Sequence, residues 1–179
     1  NNIHLAYALI QSGRFIEARE LNQITIKVTQ KNKMGQFLVQ SILVEVECDL
    51  LEGHLAEAEK NLSRVEDLLE NRGLKLESLI ANLAKAQLAT VKGCHSVAVQ
   101  LLEKTINDGQ TLGATWITLE ALQRLAHYQR IETNLKFNID IESVYRDLIL
   151  KLETHTQSDP INKDFKIAKE TWDDKIRMP

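Results

Sequence analysis

The segments SGRFIEARELNQ (Ser12–Gln23), EGHLAEAEKNLS (Glu52–Ser63) and KGCHSVAVQLLE (Lys92–Glu103) align with one another without gaps. Their glycines recur at intervals of 40 residues, at Gly13, Gly53 and Gly93. Three further columns repeat in this register: an alanine five residues after the glycine, a small or short aliphatic residue seven before it, and a large aliphatic residue ten before it. These columns hold Ala18, Ala58 and Ala98; Ala6, Val46 and Ala86; and Ile3, Leu43 and Leu83. Self-similarity at a fixed period of this length predicts repeated supersecondary units.

Each unit is predicted to be a pair of antiparallel helices that meet at the glycine. A helix that must reverse direction commonly ends in a left-handed residue, which glycine adopts at little cost. Small side chains at the Ala6 and Ala18 columns let the two backbones approach, and larger aliphatic residues fill the space between neighbouring pairs. The pairs are therefore expected to stack in sequence order.

Composition favours helices as well. The chain of 179 residues contains only 7 Gly and 2 Pro, few for a protein with many sheet turns. A net charge of −3 does not indicate a nucleic-acid partner. No apolar run is long enough to cross a bilayer, and the two cysteines match no metal or disulfide spacing. The sequence thus predicts a soluble, cytoplasmic protein.

The residues around the three glycines resemble the tetratricopeptide repeat, which has a small residue before the turn and an alanine after it. That family's unit is about 34 residues, shorter than the unit here. The resemblance implies an all-α solenoid of antiparallel helix pairs, right-handed, with a C-terminal capping helix. Long units of this kind also look like the sensor arrays of large bacterial signalling ATPases.

The predicted organisation is a repeat array over 1–157, followed by a terminal helix segment over 158–179. The units of the array are about 1–32, 33–72, 73–111 and 112–157. Helices are expected at 2–12, 14–31, 33–52, 54–71, 75–92, 95–109, 112–130, 140–155 and 161–177. In the fourth unit the glycine column falls at Thr133 and a polar stretch follows. That longer loop is either a binding loop or neutral drift of the last repeat.

The last predicted helix begins at Asp159 and Pro160, an N-cap residue followed by a residue fixed near helical φ. Its apolar stripe contains Ile161, Phe165, Ala168, Trp172 and Ile176. Since a repeat array must cover its last core face, the stripe is expected to cap the array. The alternative is docking on another domain or another copy of the chain.

No catalytic arrangement is predicted. Cys94 and His95 are adjacent, but neighbouring residues of a helix point in different directions. The sequence contains no phosphate-binding glycine motif and no histidine pair at zinc-binding spacing. The expectation is a protein that is not an enzyme and needs no cofactor or metal.

Two charge runs stand out on consecutive helices. Lys27, Lys31 and Lys33 form a basic cluster, and Glu45, Glu47, Asp49 and Glu52 form an acidic one. Glu45, Asp49 and Glu52 share one side of their helix because they are four and three residues apart. These groups are expected to face solvent or each other, or else to attract a charged partner such as a cationic peptide.

The family resemblance implies a binding surface along the first helix of each unit. The columns that map there give the partner-binding candidates Tyr7, Glu47 and Gln87, together with Ile10, Leu50 and Thr90. An apolar column of Ile3, Leu43 and Leu83 lies beside them. This mixed surface would suit an amphipathic helix or an extended peptide. The alternative for the aliphatic residues is that they belong to the core.

Two functions are therefore predicted. The first is a protein-interaction or sensing scaffold that binds a peptide, helix or partner domain and forms a fragment of a larger signalling or regulatory protein. The second is the regulatory arm of a larger multidomain enzyme or ATP-driven switch, binding a small effector or an intramolecular catalytic domain. Neither a nucleic-acid nor a membrane partner is predicted.

Overall fold

The chain is all-α. The computed structural model describes residues 2–70, 72–131 and 134–156, with side chains described up to 151, and contains eight helices and no strands in these ranges. The helices are α1 (Asn2–Gln11), α2 (Phe15–Lys31), α3 (Gly35–Glu52), α4 (Leu55–Leu69), α5 (Lys75–Val91), α6 (His95–Leu112), α7 (Thr115–Ile131) and α8 (Ile141–Thr156). The all-α prediction is confirmed.

The first eight predicted helices are present, and the largest boundary error lies between α6 and α7. Helix α6 was predicted to end at residue 109 but ends at Leu112, because Gly113, with φ of 69°, makes the turn. The predicted helix at 161–177, with its capping role, lies outside the described residues.

The turns recur every 20 residues, twice as often as the glycine column of the sequence indicates. In the part of the chain that the structure describes, φ is positive at Gly13, Lys33, Gly53, Gly73, Gly93 and Gly113. Gly73 and Gly113 are also 40 residues apart, so they form a second column that the sequence analysis missed. At this column the first repeat has lysine in place of glycine.

Most of these turns share one hydrogen-bond pattern. At Gly53, the amide of the turn residue donates to the carbonyl of Leu50, and the next amide, that of His54, donates to the carbonyl of Asp49. The same two bonds form at Gly13, Lys33, Gly93 and Gly113. This is the Schellman ending, which satisfies two helix carbonyls and requires a left-handed residue.

The chain divides into two compact units, Asn1–Ala98 and Val99–Pro179, with the division falling inside α6. In the first unit, α3 is central and packs against α1, α2, α4 and α5. One core cluster joins α1, α2 and α3 around Ile3, Ile10 and Val44. A second joins α3, α4 and α5 around Ile42, Leu62 and Leu88. Shared burial against α3 explains why the helix pairs stack within this unit.

Ion pairs link neighbouring repeats of the first unit with opposite polarity. Between α2 and α3, Arg19 pairs with Glu52. Between α4 and α5, 40 residues later at the same two columns, Glu59 pairs with Lys92. Placing α2 against α5 would therefore bring Arg19 against a lysine, a like-charge contact. The reversal favours the observed order of the helices over a shifted one.

In the second unit, α6 approaches α7 closely. A Cβ on Gly109 would overlap the hydroxyl oxygen of the buried Thr118, so a side chain at this crossing would force one of the two residues to shift. The buried carboxylate of Glu103 accepts hydrogen bonds from the backbone amide of Asn138 and, at 2.9 Å, from its side chain. These bonds hold the segment that precedes α8. Helix α8 itself packs against α7.

Candidate functional site

The candidate binding surface lies on the first helices of the repeats in the Asn1–Ala98 unit. Helix α3 contacts both α1 and α5, so the three helices form a neighbouring set. Their equivalent positions carry Tyr7, Glu47 and Gln87, and all three side chains are partly exposed. The structure thus places this predicted column at the surface of three adjacent helices.

The other predicted column is divided between the core and the surface. Ile10 and Leu50 are buried in the two core clusters. Thr90, at the equivalent position of α5, is exposed, and its hydroxyl donates to the carbonyl of Ala86 at 2.7 Å. Ile3, Leu43 and Leu83 are also buried. The alternative prediction for the aliphatic residues, that they belong to the core, is confirmed, and the surface is left with Tyr7, Glu47, Gln87 and Thr90.

Two exposed aliphatic residues lie near this surface and were missed from the sequence. Leu51 is the second-last residue of α3 and Val91 is the last residue of α5, and about half of each is accessible. Both precede a turn glycine by two residues, at the position that Gln11 occupies in α1. The repeat register itself was the signal that could have identified them. They add an apolar edge to an otherwise polar surface.

Glu45, Asp49 and Glu52 form an acidic strip along α3, and this strip binds an arginine of the same chain. Arg19 of α2 donates from Nη2 to Asp49 Oδ1 at 2.7 Å, from Nη1 to Glu45 Oε2 at 2.8 Å, and from Nε to Glu52 Oε2 at 3.0 Å. The prediction that these carboxylates share one side of the helix is confirmed. They face Arg19, whereas the sequence analysis expected solvent, the lysine cluster or a charged partner.

Two amide side chains complete this network. Buried Asn22 donates to the carbonyl of Ser41 at 2.8 Å and to Glu45 at 2.7 Å, and Asn61 of α4 donates to Asp49 at 3.0 Å. Burial opposes the charge of Arg19, but its hydrogen bonds to Glu52 and Asp49 outweigh that effect and raise its pKa above the ordinary value. The strip is therefore part of the α2–α3–α4 packing.

A second buried carboxylate lies between α3 and α5. Glu77, in the first turn of α5, is buried, and its Oε1 accepts from the side-chain amides of Gln36 at 2.8 Å and Gln40 at 2.9 Å. Hydrogen-bond donors are required for a carboxylate at such a site. Glu77 was not predicted as a buried residue, because a lone glutamate in a helix is usually exposed.

The two cysteines differ in burial. Cys48 is buried, and burial raises its pKa from 9.0 to about 11, which disfavours the reactive thiolate. Cys94 is exposed in the α5–α6 turn.

Within the described ranges, no three His, Cys, Asp or Glu side chains are grouped as metal ligands would be. No described helix is both long and apolar enough to span a membrane.

Comparisons with known proteins found no family model that matches the chain, and no match among curated proteins or solved structures.

Proposed function

We propose that the chain is a divergent tetratricopeptide-like repeat module that binds a peptide, a helix or a partner domain. The observation that carries the proposal is the column of Tyr7, Glu47 and Gln87, partly exposed on three adjacent helices. A helical-repeat surface with one such side chain per repeat can contact an extended or helical ligand at successive points along its length.

The chemistry of this surface favours a ligand with both polar and apolar groups. Glu47 and Gln87 supply hydrogen-bonding groups, while Tyr7 supplies an aromatic ring with a hydroxyl. Leu51 and Val91 offer exposed aliphatic area at the ends of α3 and α5. Aromatic and aliphatic anchors surrounded by polar groups are typical of protein-interaction sites.

A cytoplasmic location is part of the proposal. Both cysteines, Cys48 and Cys94, are free thiols. Free thiols are typical of proteins from reducing compartments.

The test is selection of binding peptides from a displayed random library against the full chain, followed by measurement of affinity for the selected peptide. Tyr7→Ala and Glu47→Lys are expected to weaken binding by about tenfold each, as central interface residues do. The matched control is Glu57→Lys, the same charge change at an exposed position of α4. Equal affinity of the wild type, Tyr7→Ala and Glu47→Lys chains would reject this surface as the binding site.

A further inference from the structure

The outer face of α2 differs from the outer face of the equivalent helix in the next repeat. Three of its aliphatic side chains are exposed: Ile16 by 74%, Ile24 by 56% and Val28 by 49%. At the columns of Ile16 and Ile24, α4 has Ala56 and Arg64. No large apolar side chain of α4 is exposed. Exposed aliphatic residues at Ile16 and Ile24 are therefore not required by the position of α2 in the repeat, whereas the Val28 column is also aliphatic in α4, where Leu68 is partly buried.

Ile24 and Val28 lie one turn apart and form a short ridge on the exposed side of α2. Such an i, i+4 ridge is the element that packs into the groove of a second helix. The opposite side of α2 packs on α1 and α3 through residues that include Ala18 and Asn22. The ridge thus lies on a helix whose opposite side is fixed by packing against α1 and α3.

Lysines flank this ridge. Lys27 and Lys31 lie on the same exposed face of α2, and Lys33 follows in the turn. None of the three is paired with a carboxylate among the described residues, whereas the nearby Arg19 has its charge satisfied by α3. At the column of Lys27, α4 has Asp67. Uncompensated cations beside an apolar ridge favour an anionic partner.

We propose that Ile24, Val28, Lys27 and Lys31 form a second docking surface, here called the α2 face, which binds an acidic amphipathic helix of a partner protein. The ridge would pack against the partner's apolar stripe, and the lysines would pair with flanking Asp or Glu residues. An anionic membrane fits less well, because Glu17 and Glu20 occupy the first half of the same exposed face and surface-binding segments usually carry four or more clustered cations.

The α2 face is independent of the surface on α1, α3 and α5. It belongs to a second helix of its repeat, and none of its four residues is among Tyr7, Glu47, Gln87 and Thr90. Either proposal can fail without affecting the other.

In the experiment, the isotope-labelled full chain is titrated with each probe, and binding is monitored by the NMR chemical shifts of its backbone amides. The probes are a designed amphipathic helical peptide with leucines on one side and glutamates beside them, a matched peptide with lysine at each glutamate, and phosphatidylserine-containing vesicles. The acidic peptide is expected to shift the amides of residues 24–33, and its affinity should fall with added salt. The lysine peptide should not bind there.

The variant Ile24→Arg with Lys27→Asp copies residues that α4 already carries at the same columns, so the fold should be retained. It should weaken binding of the acidic peptide by about tenfold or more. The control Lys60→Glu with Arg64→Glu reverses two exposed cations of α4 and should leave the affinity unchanged. The proposal is overturned by shifts elsewhere, by undiminished binding of the α2 variant, or by binding of the vesicles in place of the peptide.

Discussion

The guanidinium of Arg19 donates to the carboxylate of Asp49 at 2.7 Å across the α2–α3 contact, and only 4% of Asp49 is exposed. The same guanidinium binds Glu45 and Glu52. An internal cation therefore occupies the side of α3 that a cationic ligand would otherwise contact, and the acidic strip contributes to stability.

Replacing Arg19 should destabilise the chain. Arg19→Met keeps much of the side-chain volume but leaves Asp49 and Glu45 without their cation in a partly buried site. We expect the free energy of unfolding to fall by about 2 kcal/mol, between the values for exposed and fully buried pairs. Urea denaturation measures it. The control is Arg14→Met, which breaks the exposed Arg14–Glu17 pair. If both variants lose the same stability, the network is not stabilising.

The reversed polarity of the ion pairs can be tested by copying one repeat onto the other. Lys92→Glu alone places a second carboxylate beside that of Glu59 and should cost about 0.5–1 kcal/mol. Adding Glu59→Arg recreates the Arg19–Glu52 arrangement and should restore the stability. Melting curves at low and high salt measure both changes. A double variant no more stable than Lys92→Glu would contradict pairing at these columns.

Lys33 has a φ of 54° and occupies a turn position at which glycine is preferred. Lys33→Gly removes the left-handed strain but gives the unfolded chain more freedom, so we expect a net gain of about 0.5 kcal/mol. The reciprocal variant Gly113→Lys should destabilise, because it places a side chain where φ is 69°. Thermal unfolding measures the stability of both variants. A loss of stability in Lys33→Gly would contradict backbone strain at Lys33.

The two cysteines should react at very different rates. At pH 8 a thiol reagent should modify exposed Cys94 quickly and buried Cys48 only when the chain unfolds. Burial raises the pKa of Cys48 to about 11, so the unfolded thiol ionises before the folded one. Its contribution to stability is complete below pH 9 and is lost as pH rises through 11. Rapid labelling that persists in Cys94→Ser would show that Cys48 is accessible.

The close crossing of α6 and α7 gives a further prediction. Gly109→Ala would force a methyl group against Thr118, so stability should fall by about 1–2 kcal/mol despite the better helix propensity of alanine. Thr118→Ala removes the clashing hydroxyl. In the double variant, Gly109→Ala should therefore cost less than it does alone, which a double-mutant cycle measures. Additive effects would mean that the two residues do not meet.

The helices could be predicted because their signals are local. Apolar spacing marks each helix, and glycine marks most turns within a few residues of its place. The turn at Lys33 was still located approximately, but its left-handed residue was not, because lysine carries no such signal. The helix predicted at 95–109 is too short, because Gly109 lies inside α6, where it packs closely against Thr118 and does not make the turn.

The candidate surface was less predictable. One sequence column holds Ile10, Leu50 and Thr90, yet two of these are buried and one is exposed. The difference depends on which neighbouring helix covers each position, and the repeat register does not contain that information. The binding role of Tyr7, Glu47 and Gln87 stays a prediction.

By itself, the sequence determined an all-α chain with turns at a regular interval, because hydrophobic periodicity and left-handed glycines act within a few residues. Only the tertiary structure decided that Arg19 would bind the acidic strip and that Ile24 would be exposed while Ile10 was buried. These outcomes depend on pairs of helices whose residues are distant in sequence, such as Arg19 and Asp49, and on which sides of each helix the packing leaves uncovered.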